Sequence, residues 1–294
     1  MAGTPSGSEP KRAGGYHDGA VDVVMSVEEV NRQAAKLGGG VTRDDIAALA
    51  GGDSYVTIEG LSAGYGKMEI LHDFNLQIAR GKSLCLIGPN GAGKSTVLHS
   101  IYGFTNIFAG RILIGSGGQQ REITRLSANQ KLKQAGIAYI LQDKSVFPDM
   151  TVEENLWMGG FLLESPAQAK EKAEKVFEKY PRLAERRKHA AKVLSGGERR
   201  LLEISRALVM EPDVLLVDEP SIGLEPRFID VVFDILGDLQ KKEGKTIIMV
   251  EQNAKRGLEF ADVGYVLVSG ETAIAAKGQK LLENPEVSRL FLGG

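Results

Sequence analysis

From residue 55 onward the chain alternates between short apolar runs and longer amphipathic stretches. Residues 55–61 and 70–78 place apolar and polar side chains at alternating positions, which predicts two half-buried antiparallel strands. Residues 83–87 and 214–217 are apolar at almost every position, as is typical of strands buried on both faces. Stretches with helical periodicity separate these runs, so the pattern predicts an α/β fold with a mostly parallel, doubly wound core sheet.

A longer stretch, residues 151–192, interrupts this alternation because its patterns are helical throughout. Helices are predicted to begin at Thr151 and Ser165, and Pro181 ends the second helix or bends the chain. We therefore expect a helical subdomain, about residues 145–195, inserted into the α/β core. The other predicted helices span residues 94–102, 199–210 and 227–241, and the other predicted strands span residues 111–114, 136–141, 246–250, 263–268 and 272–276.

Residues 1–53 differ in composition from the rest of the chain. They hold ten glycines, eight acidic and five basic residues, and Tyr16 as their one aromatic residue. Such a segment cannot bury enough apolar surface to offset the entropy lost on ordering. Sequences that resemble capping boxes begin at Ser26 and Thr42 and predict two marginal helices, which could dock on the body or on a partner. We expect a flexible extension over residues 1–53 and one domain over residues 54–294.

Composition narrows the class of protein. With 294 residues, 43% of them hydrophobic and 25% charged, the chain can bury a sizeable core in one large domain or two small ones. A net charge of −2 provides no overall basic field for nucleic acid. The single cysteine, Cys85, lies in a predicted buried strand, where we expect an apolar role. Since no apolar run reaches the ~18–20 residues of a membrane span and the N-terminus lacks the pattern of a signal peptide, we expect a cytosolic protein.

Residues 88–95 fit a phosphate-binding pattern of Gly, four free positions, then Gly-Lys-Ser/Thr. In such a loop the glycines let successive N–H groups point at a polyphosphate, and the helix that follows directs its positive end to the same place. Lys94 would lie between the β- and γ-phosphates, and the Ser95 hydroxyl would bind Mg²⁺. A plain glycine-rich turn is the alternative, but the flanking strand and helix favour a nucleotide site. The predicted binding residues of this loop are Gly88, Pro89, Asn90, Gly91, Ala92, Gly93, Lys94, Ser95 and Thr96.

An acidic pair, Asp218 and Glu219, follows the buried run at residues 214–217. A carboxylate at the carboxyl end of a buried strand, downstream of a phosphate loop, is where this class of fold holds Mg²⁺. We expect Asp218 to hold the metal, through water, and Glu219 to act as the general base that orients the attacking water. The pair could instead only mark the end of a strand, but its occurrence together with the phosphate loop favours catalysis.

A third motif resembles that of a known family. Residues 194–198, Leu-Ser-Gly-Gly-Glu, are similar to the signature motif of ATP-binding-cassette (ABC) ATPases, and the resemblance covers about residues 54–294. It implies a P-loop NTPase fold with a mostly parallel core sheet, an antiparallel β subdomain and a helical subdomain. It also implies a head-to-tail dimer that encloses ATP and Mg²⁺, with each chain completing the site of the other. The residues implied to cover the partner's ATP are Ser195, Gly196, Gly197 and Glu198.

Other positions take their roles from this resemblance. Tyr65 stands where the family has an aromatic residue that stacks on adenine, and Gln142 stands where a glutamine contacts Mg²⁺ and the transporter. Gln252 occupies a position that most of the family fills with a histidine contacting the γ-phosphate. An amide donates a hydrogen bond but carries no charge, so we expect weaker stabilisation of the transition state. Glu225 replaces the aspartate usual in the loop of residues 221–225, which puts the expected contact across the dimer in doubt.

The resemblance narrows to one group of transporters. Residues 147–156, 181–187 and 250–254 are similar to the ATPases of branched-chain amino-acid transporters, in particular to the smaller of the two ATPase subunits. Related importers of urea and short amides share this similarity. It implies an ATPase that powers uptake at the cytoplasmic face of the membrane, together with transmembrane permease subunits. The other implied partners are a sister ATPase or a second copy of this chain and, indirectly, a substrate-binding protein; no nucleic acid is expected.

Two alternatives from other classes of protein stay open at this point. An ABC ATPase acting on nucleic acid or ribosomes would resemble two linked cassettes or carry long coiled-coil insertions, and the chain shows neither. A module that binds ATP without hydrolysing it is disfavoured by Lys94, Asp218 and Glu219 together.

In relatives, residues 142–161 border a groove that receives a permease helix. Phe147 and Met150 are the expected partner contacts, whereas Trp157 and Phe161 fit the core at least as well.

Overall fold

The computed structural model describes residues 41–51, 53–142 and 145–292, so the helix predicted at Ser26 lies outside the described residues. The described strands are β1 (Ser54–Tyr65), β2 (Met68–Ala79), β3 (Ser83–Ile87), β4 (Asn106–Ile114), β5 (Arg121–Glu122), β6 (Ile137–Ile140), β7 (Val214–Asp218), β8 (Thr246–Val250), β9 (Val263–Val268) and β10 (Glu271–Lys277). The described α-helices are α1 (Arg43–Leu49), α2 (Lys94–Tyr102), α3 (Ala128–Ala135), α4 (Val152–Gly159), α5 (Pro166–Lys179), α6 (Pro181–Glu185), α7 (Gly196–Leu208), α8 (Pro226–Lys241), α9 (Ala254–Phe260), α10 (Gly278–Leu282) and α11 (Pro285–Phe291).

Four antiparallel strands form one sheet, in the order β2-β1-β4-β5. β1 and β2 are the predicted antiparallel pair, and inward side chains such as Ile58 and Leu76 are buried in the largest core cluster. The strand predicted at residues 111–114 is only the second half of β4. Its first half, residues 106–110, is mostly exposed and has no apolar alternation, so the sequence pattern carried no signal for it.

The second sheet has six strands in the order β10-β9-β3-β8-β7-β6. Its neighbouring strands are parallel except at the edge, where β10 runs antiparallel to β9, so the predicted mostly parallel core is confirmed. Every residue of β3, β7 and β8 is buried. Successive side chains of β3 join two different core clusters, with Leu84 and Leu86 on one face and Cys85 and Ile87 on the other. The continuous apolar runs therefore reflect burial on both faces of the sheet.

The parallel arrangement positions the site. Because the carboxyl ends of parallel strands meet at one edge, the segments that follow β3, β6, β7 and β8 come together there. These segments begin with the phosphate loop, Leu141, Glu219 and Glu251, respectively.

Helices α4 to α7 pack around a core cluster of their own, which includes Leu156, Phe177 and Leu202. The N-caps predicted at Thr151 and Ser165 are present, the first as a full capping box with Glu154. The helix predicted from residue 199 begins earlier, at Gly196, because the Ser195 side chain caps it. The glycine pair reads as a turn in the sequence, whereas in the structure it forms the first turn of α7.

Helix α1 begins with the capping box predicted at Thr42, in which the Thr42 and Asp45 side chains each accept from the other's backbone N–H. Its Ile46 is 2% exposed and belongs to the largest core cluster. The helix therefore docks on the body of the protein, while the division of the chain at residue 53 stays a prediction. Within the part of the chain that the structure describes, no helix combines the length and apolarity needed to cross a bilayer.

Candidate nucleotide site

The phosphate loop joins β3 to α2. Gly93 is the N-cap of α2, with a left-handed φ of 98°, and no side chain caps this helix. The first N–H groups of α2 are therefore available to an anion held by the loop. Lys94 Nζ donates to the carbonyl oxygens of Gly88 and Pro89, both at 2.9 Å, so its ammonium group lies across the loop. The positive charge of Lys94 and the free N–H groups at the start of α2 are therefore both at the phosphate loop.

Two glycines of this loop, Gly88 and Gly93, are difficult to replace with any other residue. A Cβ at Gly88, where φ is 146°, would lie 2.2 Å from the carbonyl oxygen of Leu267. A Cβ at Gly93 would lie 2.9 Å from Leu71 Cδ2, again at a φ that L side chains rarely adopt. At Gly88 the backbone of β9 therefore excludes a Cβ, whereas at Gly93 the main obstacle is the left-handed φ, because the Leu71 side chain can move. The remaining loop residues are the exposed Asn90 and Gly91 and the buried Ala92 and Thr96.

Side chains from two elements, α2 and β6, donate to the Asp218 carboxylate at the carboxyl end of β7. Ser95 Oγ donates to Oδ1 at 3.1 Å, and the Tyr139 hydroxyl donates to Oδ2 at 2.8 Å. Asp218 is only 5% exposed. Burial lowers the pKa of Lys94, and the negative charges of Glu219 and Asp218 oppose that change. A buried carboxylate and a hydroxyl thus lie beside an ammonium group, an arrangement suited to a polyphosphate with its cation.

Glu219 follows Asp218 in a strained conformation. Its φ is 44°, uncommon for a residue with a side chain, and its N–H donates to the Val250 carbonyl oxygen at 2.9 Å. Its carboxylate accepts a hydrogen bond from Gln142 Nε2 at 2.8 Å. Burial raises the pKa of Glu219, as does the charge of Asp218, while Lys94 lowers it. Such a carboxylate is more basic than usual, as a general base requires.

Arg200, on α7, is a component of the site that sequence reasoning missed. It is 4% exposed, and its side chain donates five hydrogen bonds, which equals the number of N–H groups in a guanidinium. One acceptor is the Glu203 carboxylate, at 2.7 Å. The others are the carbonyl oxygens of Leu141, Asp218, Glu219 and Pro220. Arg200 stands three residues before Glu203 and four before the buried Ile204, a spacing that places the three side chains on neighbouring parts of α7 but does not by itself predict burial of the charged pair.

Glu251, after β8, was noted only as part of the family resemblance. It is buried, and its Oε1 accepts from Ser221 Oγ at 2.7 Å and from the Asn253 N–H at 2.9 Å. The Ser221 N–H adds a bond to Oε2 at 3.3 Å. The carboxylate therefore holds the loop after Glu219 against the loop that contains Gln252.

The Ser-Gly-Gly turn, defined as residues 195–197, begins α7. Ser195 and Glu198 form a capping box, with Glu198 Oε2 2.9 Å from the Ser195 nitrogen. A Cβ at Gly197 would lie 2.3 Å from the Phe228 ring, so this glycine lets α7 pack on α8. Ser195 and Gly196 are exposed. Among the described residues, no side-chain hydrogen bond joins this turn to the phosphate loop of the same chain.

Two other predicted residues make no side-chain hydrogen bond to Asp218 or Glu219 within the described residues. Tyr65 is 41% exposed, and its hydroxyl is hydrogen bonded to Nδ1 of His99 on α2. Gln252 is also exposed, just before α9. The structure thus joins Lys94 and Ser95 to the acidic pair and its partner glutamine, and it leaves Tyr65 and Gln252 open to solvent.

An aromatic groove of about 510 Å³ lies between α2, β6 and the helices α4 and α7. The Phe147 ring, 40% exposed, packs on the Arg206 guanidinium with 4.7 Å between the Arg206 Cζ and the ring centroid. Phe161 is 77% exposed, so the expectation of a core role is wrong for this residue, while Trp157 packs against the helical core. The groove is lined by aromatic and apolar residues that include Tyr102, Phe104, Tyr139, Leu141, Phe147, Met158, Phe161 and Met210.

Taken together, a phosphate loop, an acidic pair on a neighbouring strand and a Ser-Gly-Gly turn beginning a helix define an ATP-binding cassette. A family model described as ABC transporter matches residues 71–222. The chain belongs to this family, which confirms the resemblance read from the sequence. It is an ATPase whose hydrolysis of ATP is coupled to transport.

Individual relatives agree over most of the chain. The high-affinity branched-chain amino acid transport ATP-binding protein BraG of Pseudomonas aeruginosa is 39% identical, over 81% of this chain and 100% of that protein. The probable branched-chain amino acid transport ATP-binding protein LivF of Archaeoglobus fulgidus is 37% identical, over 79% of this chain and 96% of that protein. A crystal structure of a nucleotide-free ATP-binding cassette from an ABC transporter superposes with a TM-score of 0.71 at 26% identity, covering 82% of this chain and 100% of the other.

Proposed function

We propose that this chain is the ATP-hydrolysing subunit of an importer of branched-chain amino acids. The support is that both relatives described above carry that transport function in their names. An importer of urea or short amides is the alternative, because the transported molecule contacts the permease and the binding protein rather than the ATPase. Uptake of labelled leucine and of labelled urea, compared before and after deletion of the gene, separates the two. Loss of leucine uptake alone supports the proposal, and loss of urea uptake alone contradicts it.

The donor set at Ser95 and Asp218 fits Mg²⁺. The hydroxyl oxygen and Asp218 Oδ1 are 3.1 Å apart, and both are the hard oxygen ligands that this ion prefers. When bound, the ion would neutralise charge on the β- and γ-phosphates. Lys94 would exchange the two carbonyl oxygens it now contacts for phosphate oxygens.

The environments of the side chains support the catalytic roles that we propose. We assign Glu219 as the general base, since its pKa is raised by burial and by Asp218. Gln142, 2.8 Å from the Glu219 carboxylate, is placed to orient it and to meet the cation. Gln252 would donate an amide hydrogen bond to the γ-phosphate, and the exposed ring of Tyr65 would stack on adenine.

We further propose that two chains enclose the nucleotide head to tail. The Ser-Gly-Gly turn is exposed and begins a helix of 13 residues, so it presents N–H groups and a positive helix end to solvent. It makes no side-chain hydrogen bond to the phosphate loop of its own chain within the described residues. A partner's ATP, held by Lys94 of that partner, is the ligand this turn would cover. The partner is a second copy or a sister ATPase.

Mixing two inactive variants tests the shared site. In a heterodimer of Lys94→Ala and Ser195→Arg chains, one site carries both lesions and the other carries none. With random pairing, an equal mixture should recover about a quarter of the wild-type ATPase activity, because half the dimers each keep one intact site of two. Mixing Lys94→Ala with itself is the control. Heterodimers that are verified by two affinity tags but stay inactive would contradict sites built from two chains.

The aromatic groove is the proposed contact for a transmembrane permease. Its exposed Phe147 and Phe161 give it an apolar surface next to Leu141 and Gln142, so an inserted segment would press on the strand end that carries Gln142. Met150 is half-buried and less available than Phe147. This contact would hold the chain at the cytoplasmic face of the membrane. Co-purification of the permease should fail for Phe147→Glu and persist for Met150→Gln.

A further inference from the structure

The Tyr139 hydroxyl, which donates to Asp218, has no role in the mechanism proposed above. We propose that Tyr139 is a positioning residue that fixes the orientation of the Asp218 carboxylate for the cation. The inference rests on the proposed Mg²⁺ site at Ser95 and Asp218.

The Asp218 carboxylate is held through both of its oxygens. Within the described residues, each oxygen of Asp218 accepts one side-chain hydrogen bond, Oδ1 from Ser95 and Oδ2 from Tyr139. Tyr139 lies on β6 and is separated from Asp218 by 79 residues in the chain. β6 pairs in parallel with β7, with Tyr139 opposite Leu216. The strand pairing therefore brings the phenol to the end of β7.

The Tyr139 ring is itself held in place, and a donor can orient a carboxylate only if it is itself held. The Tyr139 ring packs against three aromatic rings, at centroid distances of 5.5 Å to Tyr102, 5.7 Å to His99 and 6.0 Å to Phe104. Such packing restricts rotation of the side chain and leaves the hydroxyl with one direction. A phenol is protonated at neutral pH, so it donates to the carboxylate.

Binding of a cation would affect the two hydrogen bonds to Asp218 differently. The Ser95 oxygen is itself a proposed metal ligand, so its hydrogen bond to Oδ1 lies where the cation binds. The Tyr139 bond is on the far oxygen, Oδ2, and does not compete with the cation. Asp218 therefore meets the cation with its rotation already fixed, and less entropy is lost on binding. Ser95 alone would leave the carboxylate free to turn once its hydroxyl is engaged.

The test compares two variants, each of which lacks the hydroxyl oxygen of one tyrosine. Tyr139→Phe deletes the hydroxyl on Asp218, and Tyr102→Phe makes the same change in the neighbouring ring, whose hydroxyl makes no hydrogen bond to another described residue. Binding of Mn²⁺ is measured by electron paramagnetic resonance in the presence of the non-hydrolysable analogue AMP-PNP. We expect about a tenfold weaker Mn²⁺ affinity for Tyr139→Phe, equivalent to about 1.4 kcal/mol, and less than a twofold change for Tyr102→Phe.

Two further measurements exclude a general structural effect. With EDTA present, a fluorescent ATP analogue should bind both variants and the wild type equally, because the phosphate loop is unchanged. The Mg²⁺ concentration for half-maximal ATPase activity should rise for Tyr139→Phe, while the rate at saturating Mg²⁺ falls less than twofold. A damaged fold would lower the saturated rate instead.

The inference is overturned if Tyr139→Phe binds Mn²⁺ as tightly as the wild type or if the two variants weaken equally. A wild-type protein that binds AMP-PNP but no Mn²⁺ would instead refute the proposed metal site, and the inference with it. The two failures are distinguishable, because only the second is seen in the wild type.

Discussion

Replacement of Arg200 tests how the helix that carries the Ser-Gly-Gly turn is connected to Asp218 and Glu219, the proposed catalytic carboxylates. Its guanidinium donates to the carbonyl oxygens of Leu141 at 2.9 Å, of Asp218 and Glu219 at 3.3 Å, and of Pro220 at 3.2 Å. One side chain of α7 therefore contacts the segment before Gln142 and the segment that contains the acidic pair. In the proposed dimer, this pair acts on one nucleotide while the turn of the same helix covers the other.

The expected loss of stability follows from what Arg200→Met leaves behind. Glu203 is buried, and its ion pair with Arg200, at 2.7 Å, would be gone. Breaking a buried pair by removing one partner costs about 3–5 kcal/mol. That is a large part of the ~5–15 kcal/mol that stabilises a typical domain. The double variant Arg200→Met/Glu203→Met should recover part of the loss, since no carboxylate is then left unpaired. Urea unfolding measures both.

A more conservative substitution of Arg200 separates its effect on catalysis from its effect on stability. Arg200→Lys keeps the charge near Glu203, but an ammonium has three donors and no planar fork, so at least two carbonyl contacts are lost. We expect kcat to fall about tenfold, because the backbone of Glu219 is no longer held. Nucleotide affinity should change less than twofold, since none of the hydrogen bonds that Arg200 makes within the described residues reaches the phosphate loop. Arg199→Lys, at the exposed neighbouring position, is the matched control.

Two results would show that Arg200 does not position Glu219. If Arg200→Lys is folded and keeps the kcat of Arg199→Lys, the five hydrogen bonds do not position the base. If nucleotide affinity and kcat fall together, Arg200 supports the fold of the whole site rather than Glu219. Single-turnover ATP hydrolysis, with fluorescence-detected nucleotide binding on the same samples, separates these outcomes.

Other consequences are expected from single side chains. Burial lowers the pKa of Lys131 to about 8, so the cost of its buried charge disappears as the pH rises from 8 to 10.5. Over that range, the free energy of unfolding of the wild type relative to Lys131→Met should rise by up to about 3 kcal/mol, which urea unfolding measures. Gly197→Ala should cost about 1–3 kcal/mol through overlap with Phe228, whereas Gly196→Ala, with no Cβ contact below 3.6 Å, should cost less in thermal unfolding. Gln252→Ala should lower turnover more than ATP affinity; equal losses in both would limit Gln252 to binding.

Local patterns were sufficient for much of the fold. β3, α2 and β8 have the predicted bounds because burial on both faces, a phosphate loop and helical periodicity each leave a signal within a few residues. The acidic pair could be placed at the carboxyl end of β7 for the same reason. Cys85 is buried and unpaired, as its position in β3 predicted.

Contacts between distant segments could not be predicted in this way. The hydrogen bond of Tyr139 to Asp218 spans 79 residues, and that of Arg200 to Leu141 spans 59. Neither depends on periodicity, and an Arg or Tyr in an amphipathic stretch is equally compatible with the surface. Strand order decides which side chains meet at the sheet edge, and strand order is a property of the whole sheet. The polar groups that hold the acidic pair were missed for this reason.

Asp218 and Glu219 are adjacent in the chain, yet their surroundings suit different tasks. Asp218 ends β7 inside the regular strand, and hydroxyl groups donate to both of its oxygens, so the carboxylate is held in one orientation. Glu219 leaves the strand with a φ of 44°, so its side chain points elsewhere, toward Gln142. There its pKa is raised by burial and by the charge of Asp218 itself. The strained backbone therefore directs the two carboxylates to different partners, as their proposed roles of cation ligand and general base require.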